Sequence, residues 1–133
     1  TSWTQLRRNG LDVDRHNLLH PLAKKKAYLT EKLEAFDGSV LAVSDFMRTV
    51  QDQIAPWVPQ EFTSLGTDGF GLSDTRGALR RHFKVDGESI VVGVLSQLAK
   101  EGKISPKVVK QAIEKYDLDS VTAADPGNTE GTG

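Results

Sequence analysis

The stretch LGTDGFGLSDTRGALRRHF, Leu65–Phe83, holds three glycines within six residues and continues into a basic run with helical spacing. It directly follows Phe62–Leu65, a short segment typical of a strand. A glycine loop between a strand and a helix is either a cradle for a phosphate or a structural turn in which glycine supplies positive φ. The fold around the loop decides between these two interpretations.

A second apolar segment lies upstream of this loop. Val40–Val43 consists of apolar residues without alternation, which predicts a strand buried on both faces, as in a parallel sheet. Ser44 and Asp45 then predict the cap of a helix that leads to Phe62–Leu65, so we expect a parallel strand–helix–strand unit. Two parallel strands do not make a stable sheet. The predicted fold class is therefore α/β, with a mostly parallel sheet that is incomplete and whose other strands precede Thr1.

Helices are predicted for most of the remaining chain. Their expected N-caps are Ser2, Thr30, Asp74, Asp86 and Ser105. We expect the first helix to be interrupted at Gly10 and stopped by Pro21, and the second to run from Thr30 to Phe36. The polar, glycine-rich segment from Asp119 onward predicts a disordered tail.

The composition excludes several classes of function. The 17 basic and 18 acidic residues nearly cancel, so nothing indicates nucleic acid or a membrane surface as a partner. The absence of cysteine from all 133 residues excludes disulfides and thiolate metal sites, and it fits a cytoplasmic location. No apolar run is long enough to cross a bilayer.

The glycine loop is the first candidate site. Gly66, Gly69 and Gly71 read G-x-x-G-x-G, the reverse of the dinucleotide fingerprint, and the chain contains no G-x-x-x-x-G-K-[ST] phosphate loop. The loop nevertheless follows a parallel strand, where such sheets often bind anions, and Arg76 offers a fork of donors. We favour the structural turn, with Asp74 as a helix cap.

Two other groups of residues have weaker functional signals. His16 and His20 have the spacing of a zinc pair, but no glutamate or third ligand accompanies them, so we expect a surface pair or a histidine bonded to the backbone. Arg80–Lys84 and Lys24–Lys26 are basic clusters for which a structural or solvated role suffices. No residue is predicted to be catalytic, to bind a cofactor or to bind a metal.

The run GTDGFGLSDTRGALRRHFKVDGESIV resembles the carboxyl-terminal domain of transketolase-like, thiamine diphosphate-dependent enzymes. The matching positions are Gly66, Phe70, Gly71, Ser73, Phe83, Val85 and Asp86. The fuller resemblance is to the homodimeric type of pyruvate dehydrogenase, the first component of its complex. Further matches to that branch are Thr1–Trp3, Asn17–Pro21, Ser44–Met47, Val58–Pro59, Leu65–Gly71 and Arg76. The sequence departs from the residues usual in that branch at three places, which lie in connections or at a loop edge: Lys24–Lys26, Gln51 and Leu72.

The resemblance implies a three-layer α/β/α domain over residues 1–119, lacking its first strands, with residues 120–133 as the disordered tail. It implies a parent enzyme that decarboxylates pyruvate on thiamine diphosphate with Mg²⁺, cofactors bound outside this segment, and transfers acetyl to lipoyl groups. The implied partners are the rest of its own polypeptide, a second copy in a homodimer and the lipoyl-bearing acyltransferase component. The segment itself is expected to serve assembly, through an interface loop made of Gly66, Asp68, Gly69, Phe70, Gly71, Ser73, Asp74 and Arg76.

Two alternatives stay open from the sequence. One is a stand-alone α/β binding module that takes an anionic ligand at residues 66–76. The other is a transketolase proper, against which Ser44–Met47 and Asn17–Pro21 argue.

Overall fold

The computed structural model describes residues 2–69 and 73–118 of the chain. In sequence order the elements are α1 Trp3–Leu19, α2 Tyr28–Leu33, β1 Val40–Val43, α3 Thr49–Asp52, a 3₁₀ helix Ala55–Trp57, β2 Phe62–Leu65, α4 Arg76–His82, α5 Gly87–Lys100 and α6 Pro106–Tyr116. They belong to two compact units. The first contains the residues up to Ala42 together with Arg48–Ser64, and the second contains Val43–Met47 together with the described residues from Leu65 onward. The predicted tail, residues 120–133, lies outside the described residues.

The two strands pair with each other in parallel. The Val40 N–H donates to the Glu61 carbonyl at 2.8 Å, and the Ser44 N–H donates to the Leu65 carbonyl at 3.1 Å. Donor and acceptor advance in the same direction by the same number of residues, which happens only between parallel strands. The predicted α/β class with a parallel strand pair is thus confirmed. Burial of β1 on both faces is not found, since its residues are half-buried and Val43 is 38% exposed.

In the first unit, helix α1 runs unbroken through Gly10, so the predicted interruption is wrong. Gly10 is buried against the indole ring of Trp57: a Cβ at this position would lie 2.2 Å from two of the ring carbons. The Trp57 Nε1–H donates to Asp14 Oδ2 at 3.0 Å, one turn further along α1. Ser2 occupies the N-cap position as predicted, but its side chain makes no capping bond, and the helix ends at Leu19, before Pro21.

Helix α2 begins earlier than its predicted cap. Ala27 is at the N-cap position, and Thr30 lies inside the helix, where its hydroxyl donates to the Trp57 carbonyl at 2.6 Å. The assignment of Thr30 as the cap was wrong, because α2 begins two residues earlier, at Tyr28. Gly38, with φ +102, follows the helix and leads into β1.

The helix predicted from Ser44 and Asp45 begins only at Thr49 and is short. The Ser44 hydroxyl accepts the Phe46 N–H at 3.1 Å, and this local turn competes with helix formation. The missing helical residues reflect this turn.

In the second unit, two of the three predicted caps are confirmed. Asp86 caps α5 by accepting the Ser89 N–H at 2.9 Å, and Ser105 caps α6 just before Pro106. The cap of α4 is Thr75, which accepts the Ala78 N–H at 3.3 Å, so the prediction of Asp74 was wrong by one residue. Helices α5 and α6 pack against each other. Among the described helices, none has both the length and the apolar character that a membrane span requires.

Candidate functional site

The glycine loop leaves β2 at its carboxyl end. Gly66 is buried, whereas Asp68 and Gly69 are exposed. Gly69 has φ +105 with open space where a Cβ would stand, so backbone conformation requires glycine here. Phe70 and Gly71 lie outside the described residues, and the loop resumes with the exposed Ser73, Asp74 and Arg76.

A cleft of about 490 Å³ opens beside this loop, entirely within the second unit. Its walls are Asp45, Thr67, Gly69, Asp74, Arg76, Leu79, Arg80, Phe83 and Val85. Asp45 and Thr67 follow the ends of β1 and β2. Thr67 fixes this edge, because its N–H donates to the Phe46 carbonyl at 3.0 Å and its hydroxyl donates to the Asp45 carbonyl at 3.1 Å. The cleft therefore lies at the carboxyl ends of neighbouring parallel strands, the usual site position in α/β sheets.

The charges around this cleft cancel. Two carboxylates, from Asp45 and Asp74, line it together with two guanidinium groups, from Arg76 and Arg80, and all four residues are exposed. Asp74 also accepts the Thr75 N–H at 2.6 Å. A phosphate cradle needs a surplus of donors and positive charge. This balance favours the interpretation of the loop as a structural turn.

The cleft brings together only part of the predicted loop. Gly69, Asp74 and Arg76 line it, whereas Gly66, Asp68 and Ser73 do not. The sequence analysis missed Asp45 and Thr67 as wall residues. Each stands two positions after the end of a predicted strand, and this spacing was the available signal.

In the histidine pair, the His16 ring is hydrogen-bonded to a backbone carbonyl. The His16 Nε2–H donates to the Ala23 carbonyl at 3.1 Å, and the two imidazole rings lie 4.6 Å apart. Within residues 2–69 and 73–118, no three histidine or carboxylate side chains cluster as a metal ion would require. His16 therefore has a structural role, because its imidazole bonds the connection after α1.

The basic clusters also have structural contacts. Arg81 pairs with Asp86 at 2.5 Å and Glu88 at 3.5 Å, and it donates to the Tyr116 carbonyl at 2.8 Å. In the other cluster, Asn17 holds the Lys25 backbone with two hydrogen bonds of 2.7 and 2.9 Å. These contacts account for Arg81 and for the Lys24–Lys26 connection without a ligand.

Comparison with known proteins agrees with the resemblance read from the sequence. The family model described as "Transketolase-like TK C-terminal domain" matches residues 1–86. Proteins named "Pyruvate dehydrogenase E1 component" are similar to almost the whole chain. That of Mycolicibacterium smegmatis is 50% identical over 125 residues, which are 93% of this chain and 14% of the relative.

Two further relatives have the same name and similar coverage. The Mycobacterium tuberculosis protein is 48% identical over 98% of this chain and 14% of its own length. The Escherichia coli K12 protein is 43% identical over 90% of this chain and 14% of its own length. The chain thus spans about one seventh of these relatives. With the matching family model, the parallel strand pair and the glycine loop, the chain belongs to the transketolase-like carboxyl-terminal domain family.

Proposed function

We propose that this chain is part of the first component of a pyruvate dehydrogenase complex. The whole enzyme would oxidatively decarboxylate pyruvate with thiamine diphosphate and Mg²⁺ and pass the acetyl group to the lipoyl group of an acyltransferase component. Identity of 43–50% to proteins with that name supports the assignment. The cysteine-free sequence supports a cytoplasmic location for the enzyme.

In this proposal the segment stabilises a homodimer and carries little or no chemistry. The cleft beside the glycine loop has balanced charge, which does not suit a diphosphate. The cofactors are therefore assigned to other parts of the polypeptide, and no catalytic step is derived for the residues of this segment.

The main support for the assembly role is that apolar side chains in and just after β1 are incompletely buried. Val43 is 38% exposed, and Phe46 and Met47, which directly follow the strand, are 55% and 44% exposed. Apolar side chains at the end of a parallel strand are normally covered on both faces. Additional polypeptide, from the same chain or from its partner, would supply this cover.

The cleft beside the glycine loop has the composition of a protein interface. Leu79, Phe83 and Val85 give it an apolar centre, and charged residues that include Arg76 and Asp74 surround that centre. Apolar centres with polar rims, and enrichment in arginine, are typical of protein–protein interfaces. We therefore place Arg76 at a contact between parts of the assembled enzyme.

The test uses the full-length enzyme with Arg76→Ala. Arg15→Ala, which removes an equally exposed arginine from α1, is the matched control. We expect wild type and control to release CO₂ from pyruvate only when thiamine diphosphate and Mg²⁺ are added. In the Arg76 variant, dimerisation should weaken by about tenfold or more, as for a central interface arginine.

Sedimentation at several protein concentrations measures the dimer, and CO₂ release measures the activity. Unchanged dimerisation, thermal stability and activity in the Arg76 variant would show that the interface role is wrong. Absence of pyruvate-dependent CO₂ release from the wild type would contradict the assignment of the whole enzyme.

A further inference from the structure

Helix α5 buries polar residues and leaves large apolar ones uncovered. Its buried residues are Ser89 and Gln97, and both are polar. By contrast, Val91 and Val94 are 42% and 41% exposed. A helix on the surface of a soluble domain normally turns its apolar side toward the interior and its polar side toward water. The burial of α5 is the reverse of that arrangement.

The side of α5 that faces α6 consists mainly of small residues. The residues of α5 that border the spaces between these two helices include Ser89, Val92, Gly93, Ser96 and Ala99. Small side chains allow the two helices to approach closely, but they bury little apolar surface. The contact with α6 therefore leaves most of the large apolar side chains of α5 unused.

Those side chains lie together on the side of α5 that faces away from α6. They recur at helical spacing, and we call them the α5 face: Ile90, Val91, Val94, Leu95 and Leu98. All five are exposed or half-buried. The charged residues of the helix, Glu88 and Lys100, are confined to its first and last turns. A continuous apolar face of this kind is typical of a helix in a hydrophobic interior.

The lack of charge on the α5 face favours a permanent cover over a transient partner. Interfaces that form and dissociate are about as polar as the rest of a protein surface, whereas permanent interfaces resemble a domain interior. This chain spans 14% of the length of its Mycolicibacterium smegmatis relative. In an enzyme of that size, most of the polypeptide that could supply a permanent cover lies outside residues 1–133.

We propose that the α5 face is an interior surface of the full-length enzyme, covered by an apolar segment of the same polypeptide from outside residues 1–133. The inference rests on the proposed function in one respect, that this chain is part of a longer enzyme. It concerns a different surface from the contact assigned to Arg76, because no residue of the α5 face lines the cleft beside the glycine loop.

The first experiment measures how accessible the α5 face is in the full-length enzyme. Val94→Cys is alkylated with N-ethylmaleimide, and mass spectrometry of the peptide that contains α5 gives the rate at this position alone. We expect alkylation about a hundredfold or more slower than in a free peptide of the same sequence, because a covered side chain reacts only when the structure opens locally.

Val108→Cys is the matched control for Val94→Cys. Val108 lies on α6 and is 40% exposed, almost the same fraction as Val94. Because α6 has no comparable apolar face, we expect this cysteine to react within about tenfold of its free peptide. Alkylation of Val94→Cys within about tenfold of its own free peptide would overturn the proposal.

The second experiment identifies what covers the α5 face. The photo-crosslinking amino acid p-benzoylphenylalanine replaces Val91 in the full-length enzyme, and mass spectrometry maps the residues to which it links. Links to a part of the same polypeptide outside residues 1–133 support the proposal. A covalent dimer on a denaturing gel would assign the cover to a second copy, and links confined to residues 1–133 would assign it to this segment. Either result would overturn the proposal.

Release of CO₂ from pyruvate, measured on the same proteins, separates this inference from the proposed function. Protection of Val94→Cys in a protein that releases no CO₂ would contradict the proposed reaction and support the covered α5 face. Rapid alkylation of Val94→Cys in an enzyme that does release CO₂ would refute the covered face and support the reaction.

Discussion

At the scale of single residues, the contact between Gly10 and Trp57 determines how α1 is held. The indole ring covers Gly10, its N–H donates to Asp14, and the Trp57 carbonyl accepts the Thr30 hydroxyl. One tryptophan therefore ties α1 and α2 together within the first unit. The glycine is needed because the ring occupies the space of a Cβ.

The first prediction concerns Gly10→Ala. Alanine gains about 1 kcal/mol of helix propensity over glycine, but its Cβ would stand 2.2 Å from ring carbons of Trp57. Overpacking of this kind costs about 1–3 kcal/mol, so the ring must move and α1 should open more readily. Amide hydrogen exchange of α1 in the full-length protein should be faster than in wild type.

Gly87→Ala is the matched control for Gly10→Ala. Gly87 begins α5, and nothing lies within 4 Å of a Cβ placed there. This substitution should leave exchange unchanged or slow it, with a gain of about 0.5 kcal/mol. If Gly10→Ala behaved as Gly87→Ala does, close packing of Trp57 on α1 would be refuted.

Contacts between residues far apart in the sequence leave no local signal from which they could be predicted. The local sequence at Gly10 predicts a helix break. Gly10 is instead buried under Trp57, which is 47 positions away, and neighbouring residues give no sign of that contact. The bond from the Thr30 hydroxyl to the carbonyl of the same distant tryptophan also has no local signal in the sequence. Such contacts depend on tertiary packing, which overrides local preference.

At the scale of elements, prediction succeeds where side chains act locally. Asp86 and Ser105 were assigned correctly as caps because each bonds a backbone N–H within three residues. The helix expected after Ser44 is short, because the Ser44 hydroxyl makes a turn instead. Strand β1 was predictable from its apolar composition, whereas the cleft at the ends of the two strands required the parallel register to be known.

Asp86 gives the prediction at this scale. Its carboxylate caps α5 and also pairs with Arg81, and the Asp86 side chain is only 13% exposed. Asp86→Ala removes the cap and leaves a half-buried guanidinium with one partner fewer, so it should destabilise the protein by about 2 kcal/mol. Asp86→Asn keeps the capping oxygen and should cost less.

Thermal unfolding of the full-length protein compares these variants with Ser105→Ala. The Ser105 hydroxyl accepts the Lys107 N–H at 3.3 Å, a longer bond on an exposed helix end. We expect a cost of about 0.5 kcal/mol there. An Asp86→Ala protein as stable as Ser105→Ala would contradict the double role of Asp86.

At the scale of the whole molecule, the family assignment and the two-stranded sheet lead to the same expectation. The chain corresponds to about 14% of its relatives' length, and its described strands form a single parallel pair. Parallel sheets are stable when several strands are covered on both faces. The account therefore predicts that β1 pairs with a further strand in the full-length protein.

The most direct test is residue-resolved hydrogen exchange at β1 in the full-length protein. The amides of Val40 and Ser44 bond to the side of β2, so alternation directs those of Leu41 and Val43 to the opposite edge. The account predicts that Leu41 and Val43 exchange about a hundredfold or more slowly than an unfolded chain, as Val40 and Ser44 do. Exchange of Leu41 and Val43 at the unfolded rate, while Val40 and Ser44 stay protected, would show that no further strand completes the sheet.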